Sequence, residues 1–196
     1  MADTFQATSR LDGLLDALAP ANAGGSAGLT LRERAGVVQL QLIARSGQAD
    51  ELAAAVMTLL GRTTALAPME GDEIEGLFLC ATGPLEYWAL AEGQAAADAL
   101  ERVGAMAGRC ASLFDHSHGR FVVRLSGAGA QGLLGKGTAL DLRPAHFPAR
   151  GGAHTTIAHM PALVIRREPA VYDVAGAGSY AGSFVAWLEE AARGSF

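Results

Sequence analysis

Lysine is nearly missing from this chain: Lys136 is the only one among 15 basic residues, set against 20 acidic ones. The net charge is -5, and the densest basic pair is Arg166-Arg167. A protein that neutralises many phosphates needs clustered cations, so nucleic acid is excluded as a partner. Long apolar runs are missing too. No stretch approaches the roughly 18 apolar residues of a membrane span, which argues for no membrane association. The N-terminal MADTFQATSR has neither a basic-then-apolar leader nor a lipidation motif, and a cytoplasmic location is expected. Cysteine is scarce: Cys80 and Cys110 form no CxxC pair and are expected as small core residues rather than metal ligands. Aromatic residues make up only 6% of the chain. Tyr87, Trp88, Phe121, Phe184 and Trp187 stand at strand or helix spacing and are expected in the core rather than under a flavin.

What is abundant is small and apolar. Half the residues are hydrophobic and 18% are charged. The mean hydropathy of +0.22 is high for a chain of this size, as it would be if a partner covers part of the surface. Ser9 can cap a helix carrying Leu11, Leu14, Leu15 and Leu18 on one face, ended by Pro20 and followed by a Gly/Ala linker. Residues 1–28 are therefore expected as a helix and flexible linker. Residues 29–196 are expected as a single domain with two pseudo-repeated halves, 29–108 and 109–196. The first half reads as strand 37–44, helix 47–61 ended by Gly61, strands 76–82 and 85–91 turning at Gly83-Pro84, and helix 93–107 with Ala96, Leu100 and Val103 inward. The second repeats the order: strand 119–127, helix 128–137, strands 154–160 and 162–167 turning at Met160-Pro161, strand 170–176, and a last helix with Tyr180, Phe184, Trp187 and Leu188 on one face. The class is α+β: two βαββα-type units, antiparallel or mixed sheets covered on one face by helices, packed sheet edge to edge or helix to helix.

One stretch looks chemical: 112-SLFDHSHGRFVVRLSG-127. His116 and His118 share a face only if extended, and His146, His154 and His159 offer no paired spacing to complete a zinc site. Ser117 lacks the flanking glycines of a nucleophile elbow. General acid–base work by Asp115 or a histidine needs a pocket that sequence cannot show. The structural reading is a turn built by Asp115 and Ser117, opened by positive φ at Gly119 and clamped by an Arg120 ion pair. The glycine-rich 126-SGAGAQGLLGKG-137 fails as a phosphate loop, with Ala130 at the first glycine position and Gly137 where a magnesium-binding hydroxyl belongs. It is expected instead to pack a helix closely on a strand, with Leu133 and Leu134 in the core.

The run 109-RCASLFDHSHGRFVVRLSGAGAQGLLGKGTALDL-142 resembles the aminomethyltransferase (glycine-cleavage T-protein) superfamily. The succession LSGAGAQGLLGKGTALDLRPAHFP, HTTIAHMPALVIRR and SYAGSFVAWLEEA resembles more closely the gamma subunits of heterotetrameric sarcosine oxidase. Gly137, Leu140, Asp141, Leu142, Pro144, Phe147 and Pro148 carry the most specific piece. The resemblance implies a fold like the N-terminal part of the aminomethyltransferase fold. It implies a non-catalytic subunit, beside alpha, beta and delta subunits, in a flavoenzyme that oxidatively demethylates sarcosine or a related N-methyl or secondary amino acid. Glycine, hydrogen peroxide and a one-carbon unit passed to tetrahydrofolate would be formed. FAD, FMN, NAD and tetrahydrofolate would sit on the other subunits. The acidic hairpin of the T-protein is replaced here by 159-HMPALVIRR-167, and Thr138 stands where related folate proteins have cysteine. Hence no catalytic, cofactor-binding or metal-ligating residue is expected on this chain. The contact surfaces expected are the Leu11–Leu18 helix and exposed parts of 159–167. The alternatives are a stand-alone folate-binding aminomethyltransferase-like protein, with Asp115 or His118 near the ligand, or an assembly factor without an oxidase.

Overall fold

The computed structural model describes Leu11 and residues 28–193. The expected helix over 9–19 and the linker after it lie outside the described residues, apart from Leu11 and Gly28. Leu11 is buried in the same core as the last helix.

Among the described residues, ten strands form two five-stranded antiparallel sheets. The first sheet has the order β3 (Gly71–Ile74), β4 (Leu77–Gly83), β5 (Glu86–Ala91), β2 (Val38–Ala44), β6 (Ala111–Asp115). The second has the order β1 (Thr30–Glu33), β7 (Arg120–Ser126), β10 (Val171–Ala177), β9 (Met160–Glu168), β8 (Gly151–Ile157). Helices α1 (Ala49–Leu60) and α2 (Gln94–Ala107) cover the first sheet, and α3 (Ala130–Gly135) and α4 (Ala181–Arg193) cover the second. The α+β class and the antiparallel sheets are as the sequence reading has them.

The packing of the units corrects that reading. They meet sheet face to sheet face, giving layers helix, sheet, sheet, helix. Side-chain alternation makes this direct. In β4, Leu77 and Leu79 join Leu52 and Val56 of α1 and Val103 of α2. Phe78 and Cys80, pointing the other way, join Leu163, Ile165, Val122 and Ala175 of the second sheet. Strands buried on both faces read as continuous apolar runs, which is why 77-LFLCA-81 and 162-ALVI-165 lack clean alternation. The sheets approach closely at Gly152 of β8: a Cβ there would lie 2.5 Å from Cys80 Sγ. Both cysteines are buried and unpaired, and burial pushes the Cys80 thiol up to about 12.

Local signals account for the helix ends and turns. Gly61 ends α1 in the left-handed conformation, φ +65°, its N–H on the Thr58 carbonyl and that of Arg62 on Met57. The β8–β9 hairpin turns at Ala158-His159, both at positive φ (48° and 67°), and not at Met160-Pro161. A type I′ hairpin loop, whose twist matches that of the strands, requires positive φ at both central residues. Pro161 instead pairs with Thr156 next to the closing pair Ile157–Met160. That is a non-hydrogen-bonded position, where no ladder donor is lost. In α4, Phe184 and Leu188 are buried and Trp187 packs at the margin; Tyr180, in the turn just before the helix, is 40% exposed.

The edge strands are exchanged between layers. β1 precedes β2 in sequence yet pairs with β7 (Thr30 opposite Ser126), and β6 precedes β7 yet pairs with β2 (Leu40 opposite Asp115). The chain thus crosses between sheets twice, at residues 34–37 and 116–119, side by side.

Candidate functional site

The second crossing is the chemical-looking segment. Asp115 Oδ1 accepts from the Ser117 amide at 2.9 Å and from the Ser117 hydroxyl. Ser117 Oγ in turn accepts from the Gln39 amide at 3.0 Å, and the His116 amide donates to the Gln39 carbonyl at 2.8 Å. The acid and serine therefore staple the crossing to β2, bonded to each other and to backbone amides. This matches the turn expected for Asp115 and Ser117. Two details differ. Gly119 is not at positive φ. Arg120 makes no ion pair with Asp115 among the described residues; it donates to the Ala175 carbonyl at 2.9 Å, and its guanidinium lies 4.9 Å from the centre of the Trp88 ring.

Trp88 is the centre of a polar–aromatic cluster at the mouth of the sheet–sheet seam. β5 points Trp88 and Glu86 toward the second sheet, β2 adds Gln41, β7 adds Arg120, β8 adds His154, and the crossing adds His116. The His116 ring stacks on Trp88 at 5.1 Å and 25°, and His154 meets its edge at 5.4 Å and 70°. Glu86 Oε1 accepts from Trp88 Nε1 at 2.9 Å and from Gln41 Nε2 at 2.6 Å, with His154 Nε2 at 3.5 Å. Gln41 Oε1 lies 2.9 Å from His116 Nε2. Burial and the Arg120 charge hold both imidazoles below their ordinary range, against the pull of Glu86 on His154 and of Asp115 on His116. The rings are neutral at neutral pH, so the His154–Glu86 contact is not a salt bridge there. Burial raises Glu86, but the hydrogen bonds from Gln41 and Trp88 outweigh it and hold the carboxyl low. His154 and Glu86 were not singled out from the sequence as a site. They lie far apart in the chain, and only the face-to-face packing joins them.

A second polar knot lies deeper. Asp173 of β10, nearly inaccessible, receives a bidentate pair from Arg124 at 2.6 and 2.7 Å. Arg167 approaches it at 3.1 Å and Arg34 at 3.5 Å. Arg34 also pairs with Glu92, and Arg167 lies over Phe78 at 4.4 Å. Burial pushes the Asp173 carboxyl up while the Arg124 and Arg167 guanidiniums pull it down. Arg34 comes from one crossing and Glu92 from the end of β5, so this network ties both layers together.

The chemistry available is limited. Among the described residues no group of three or more His, Cys, Asp or Glu side chains is placed to hold a metal. The acids of both clusters are engaged by arginine, glutamine or indole donors. In the Trp88 cluster, the buried Nε of Arg120 makes no hydrogen bond among the described residues. The glycine-rich run behaves as packing: Ala130, Leu133 and Leu134 are fully buried, and Gly137 lies against Trp187, where a Cβ would come within 2.4 Å of the indole.

Residues 49–194 match the family model for the sarcosine oxidase gamma subunit. The chain belongs to the sarcosine oxidase gamma subunit family. It is 31% identical over 179 residues to the sarcosine oxidase subunit gamma of Corynebacterium sp. (strain U-96), covering 91% of this chain and 86% of that one. Against the subunit gamma of an Arthrobacter species the identity is 32% over 154 residues, with 78% and 73% covered. In solved structures it is similar to a chain of heterotetrameric sarcosine oxidase from Corynebacterium sp. U-96, in complex with pyrrole 2-carboxylate, with TM-score 0.77, 29% identity and 94% of each chain covered. The glycine cleavage system aminomethyltransferase T from Bartonella henselae shares the fold alone: TM-score 0.59, 13% identity, 82% of this chain and 45% of that one.

Within this gamma-family fold, the piece from Gly137 to Pro148 is structural. Leu142 and Phe147 are buried, and the Phe147 carbonyl accepts from Arg166 at 2.8 Å. The 159–167 segment is exposed only in part. Strand β9 lies between β10 and β8 and is buried on both faces from Ala162 to Arg166, so only His159 and Pro161 are exposed there. No helix of the described residues is long and apolar enough to cross a membrane.

Proposed function

We propose that this chain is the non-catalytic gamma subunit of a heterotetrameric, sarcosine-oxidase-like flavoenzyme in the cytoplasm. Its partners are the alpha, beta and delta subunits. The complex oxidatively demethylates sarcosine, or a related N-methyl or secondary amino acid, to glycine; hydrogen peroxide is released and a one-carbon unit passes to tetrahydrofolate. FAD, FMN, NAD and tetrahydrofolate reside on the other subunits. This chain contributes to assembly and stability.

The observation that carries the reading is the likeness over nearly the whole of both chains to one chain of a heterotetrameric sarcosine oxidase. The site geometry supports it. Asp115 and Ser117 are consumed in a crossing turn, and the Glu86 carboxylate is held by indole and amide donors.

The test is co-expression with the three remaining subunits, the tag being on this chain alone. A yellow complex that oxidises sarcosine, beside a colourless isolated chain that does not bind tetrahydrofolate, is the expected outcome. Stoichiometric tetrahydrofolate binding by the isolated chain would instead favour a free-standing aminomethyltransferase-like protein.

A further inference from the structure

Four strand edges border the two sheets, and three are guarded. β1 carries Arg32 and Glu33 at its edge, and β3 carries Asp72 and Glu73, with Asp72 bound to Arg62 and Arg150. β8 is polar from His154 to Thr156, and its Gly152 amide is taken by the Met69 carbonyl. Charges and covered amides are how soluble proteins keep sheet edges from pairing with other chains. β6 has neither. Its sequence is ASLFD, and its one charge, Asp115, is folded into the crossing turn. Leu113 is 36% exposed and Phe114 47% exposed.

The ladder register fixes which backbone groups are free to pair. The His116 amide donates to Gln39 and the Arg45 amide donates to Cys110. The ladder to β2 therefore uses both backbone groups of 112 and 114, the C=O of 110 and the N–H of 116, while 111, 113 and 115 face away from β2, Ala111 buried and Leu113 and Asp115 exposed. Phe114 lies opposite Gln41 on the face toward the second sheet, where Ile43 is 37% exposed; Leu113 lies on the helix-side face. An occupant must satisfy outward amides and cover apolar side chains on both faces. An extended strand does both, and a helix or small molecule does not. At the start of β6, Arg45 and Arg109 are exposed and carry no ion pair among the described residues.

We propose that β6 is a docking edge, and that an extended segment of another subunit of the oxidase adds to it as a further strand of the first sheet. The segment is apolar at successive positions, to cover Leu113 and Phe114, and bears an acidic residue beside Arg45 and Arg109. This rests on the reading of the chain as a subunit of such a complex.

Hydrogen exchange, resolved to single amides, on the isolated chain and on the complex with the co-expressed subunits tests it. The amides of Leu113 and Asp115 are expected to slow at least roughly a hundredfold on assembly, with Ser112 and Phe114 little changed. In parallel, Leu113→Pro deletes an outward donor without breaking a bond to β2 and should weaken retention of the partners by roughly tenfold or more. Leu113→Thr keeps the donor and should cost less than about threefold. Should Leu113→Pro fail to fold, the wild-type exchange pattern decides alone. A wild-type complex in which the 113 and 115 amides are unchanged overturns the docking edge and leaves the subunit reading standing; failure of the wild type to form any complex overturns both. Protection already present in the isolated chain also overturns it: loss on dilution would assign the edge to a second copy, and loss on deleting residues 1–27 to this chain's own N-terminal segment.

Discussion

At the residue scale, the polar groups are arranged to join layers. His116 and His154 pack on Trp88 from the crossing and from β8, and both imidazoles are kept neutral by burial first and by Arg120 second. An imidazole depressed below 6.5 takes up its proton in the unfolded chain before the folded one does. Its contribution is fully present above that ordinary value and is lost as the pH falls through the folded value. Stability, read as the urea midpoint, should therefore fall from pH 7.5 to pH 5, and His116→Gln/His154→Gln should flatten that fall. A wild-type midpoint constant across this range, or an unchanged slope in the double variant, contradicts the assignment. Little of this was legible beforehand. His116 stood out because it sits beside Asp115 and Ser117, but the partners that define its environment, Trp88, Gln41 and Arg120, come from three strands. His154 and Glu86 carry no spacing signal linking them.

At the element scale, close approach between sheets replaces surface chemistry. Gly152→Ala would place a methyl carbon 2.5 Å from Cys80 Sγ and should destabilise the fold by about 1–3 kcal/mol. By contrast, Gly182→Ala in α4 meets nothing within 4 Å, and should be neutral or stabilise by about 0.5–1 kcal/mol. Thermal or urea unfolding of the pair checks both signs. The long elements were readable because their signals are local: the Leu52/Val56 spacing and Gly61 mark α1, and the apolar runs 77–81 and 162–165 mark buried strands. The short strands β1, β3 and β6 were not. TLRE and GDEI carry too much charge to read as strands alone, and they form because distant partners offer edges. The proline at 161 drew the hairpin turn two residues too late, since it sits where the ladder needs no donor.

At the scale of the whole molecule, the sheets are locked to each other by the two crossings, by the Phe78–Leu163–Ile165 seam and by the Asp173 network. The mean hydropathy of +0.22 is partly explained by this construction: four apolar layers need apolar strands on both faces. It is not surplus surface spread over the molecule, because the large exposed apolar side chains of the described residues are few and β6 holds two of them. The reading that follows is a scaffold whose polar clusters hold it together and whose open edge joins it to its neighbours.

The most direct check is the rate of flavin reduction by sarcosine, followed in a single turnover of the assembled oxidase carrying Asp115→Asn, His116→Gln and His154→Gln together. A rate within about twofold of the wild type, with any loss confined to the yield of complex, is what a scaffold predicts. A fall of about a hundredfold or more in fully assembled enzyme would mean that this chain takes part in the chemical step, and would contradict the account.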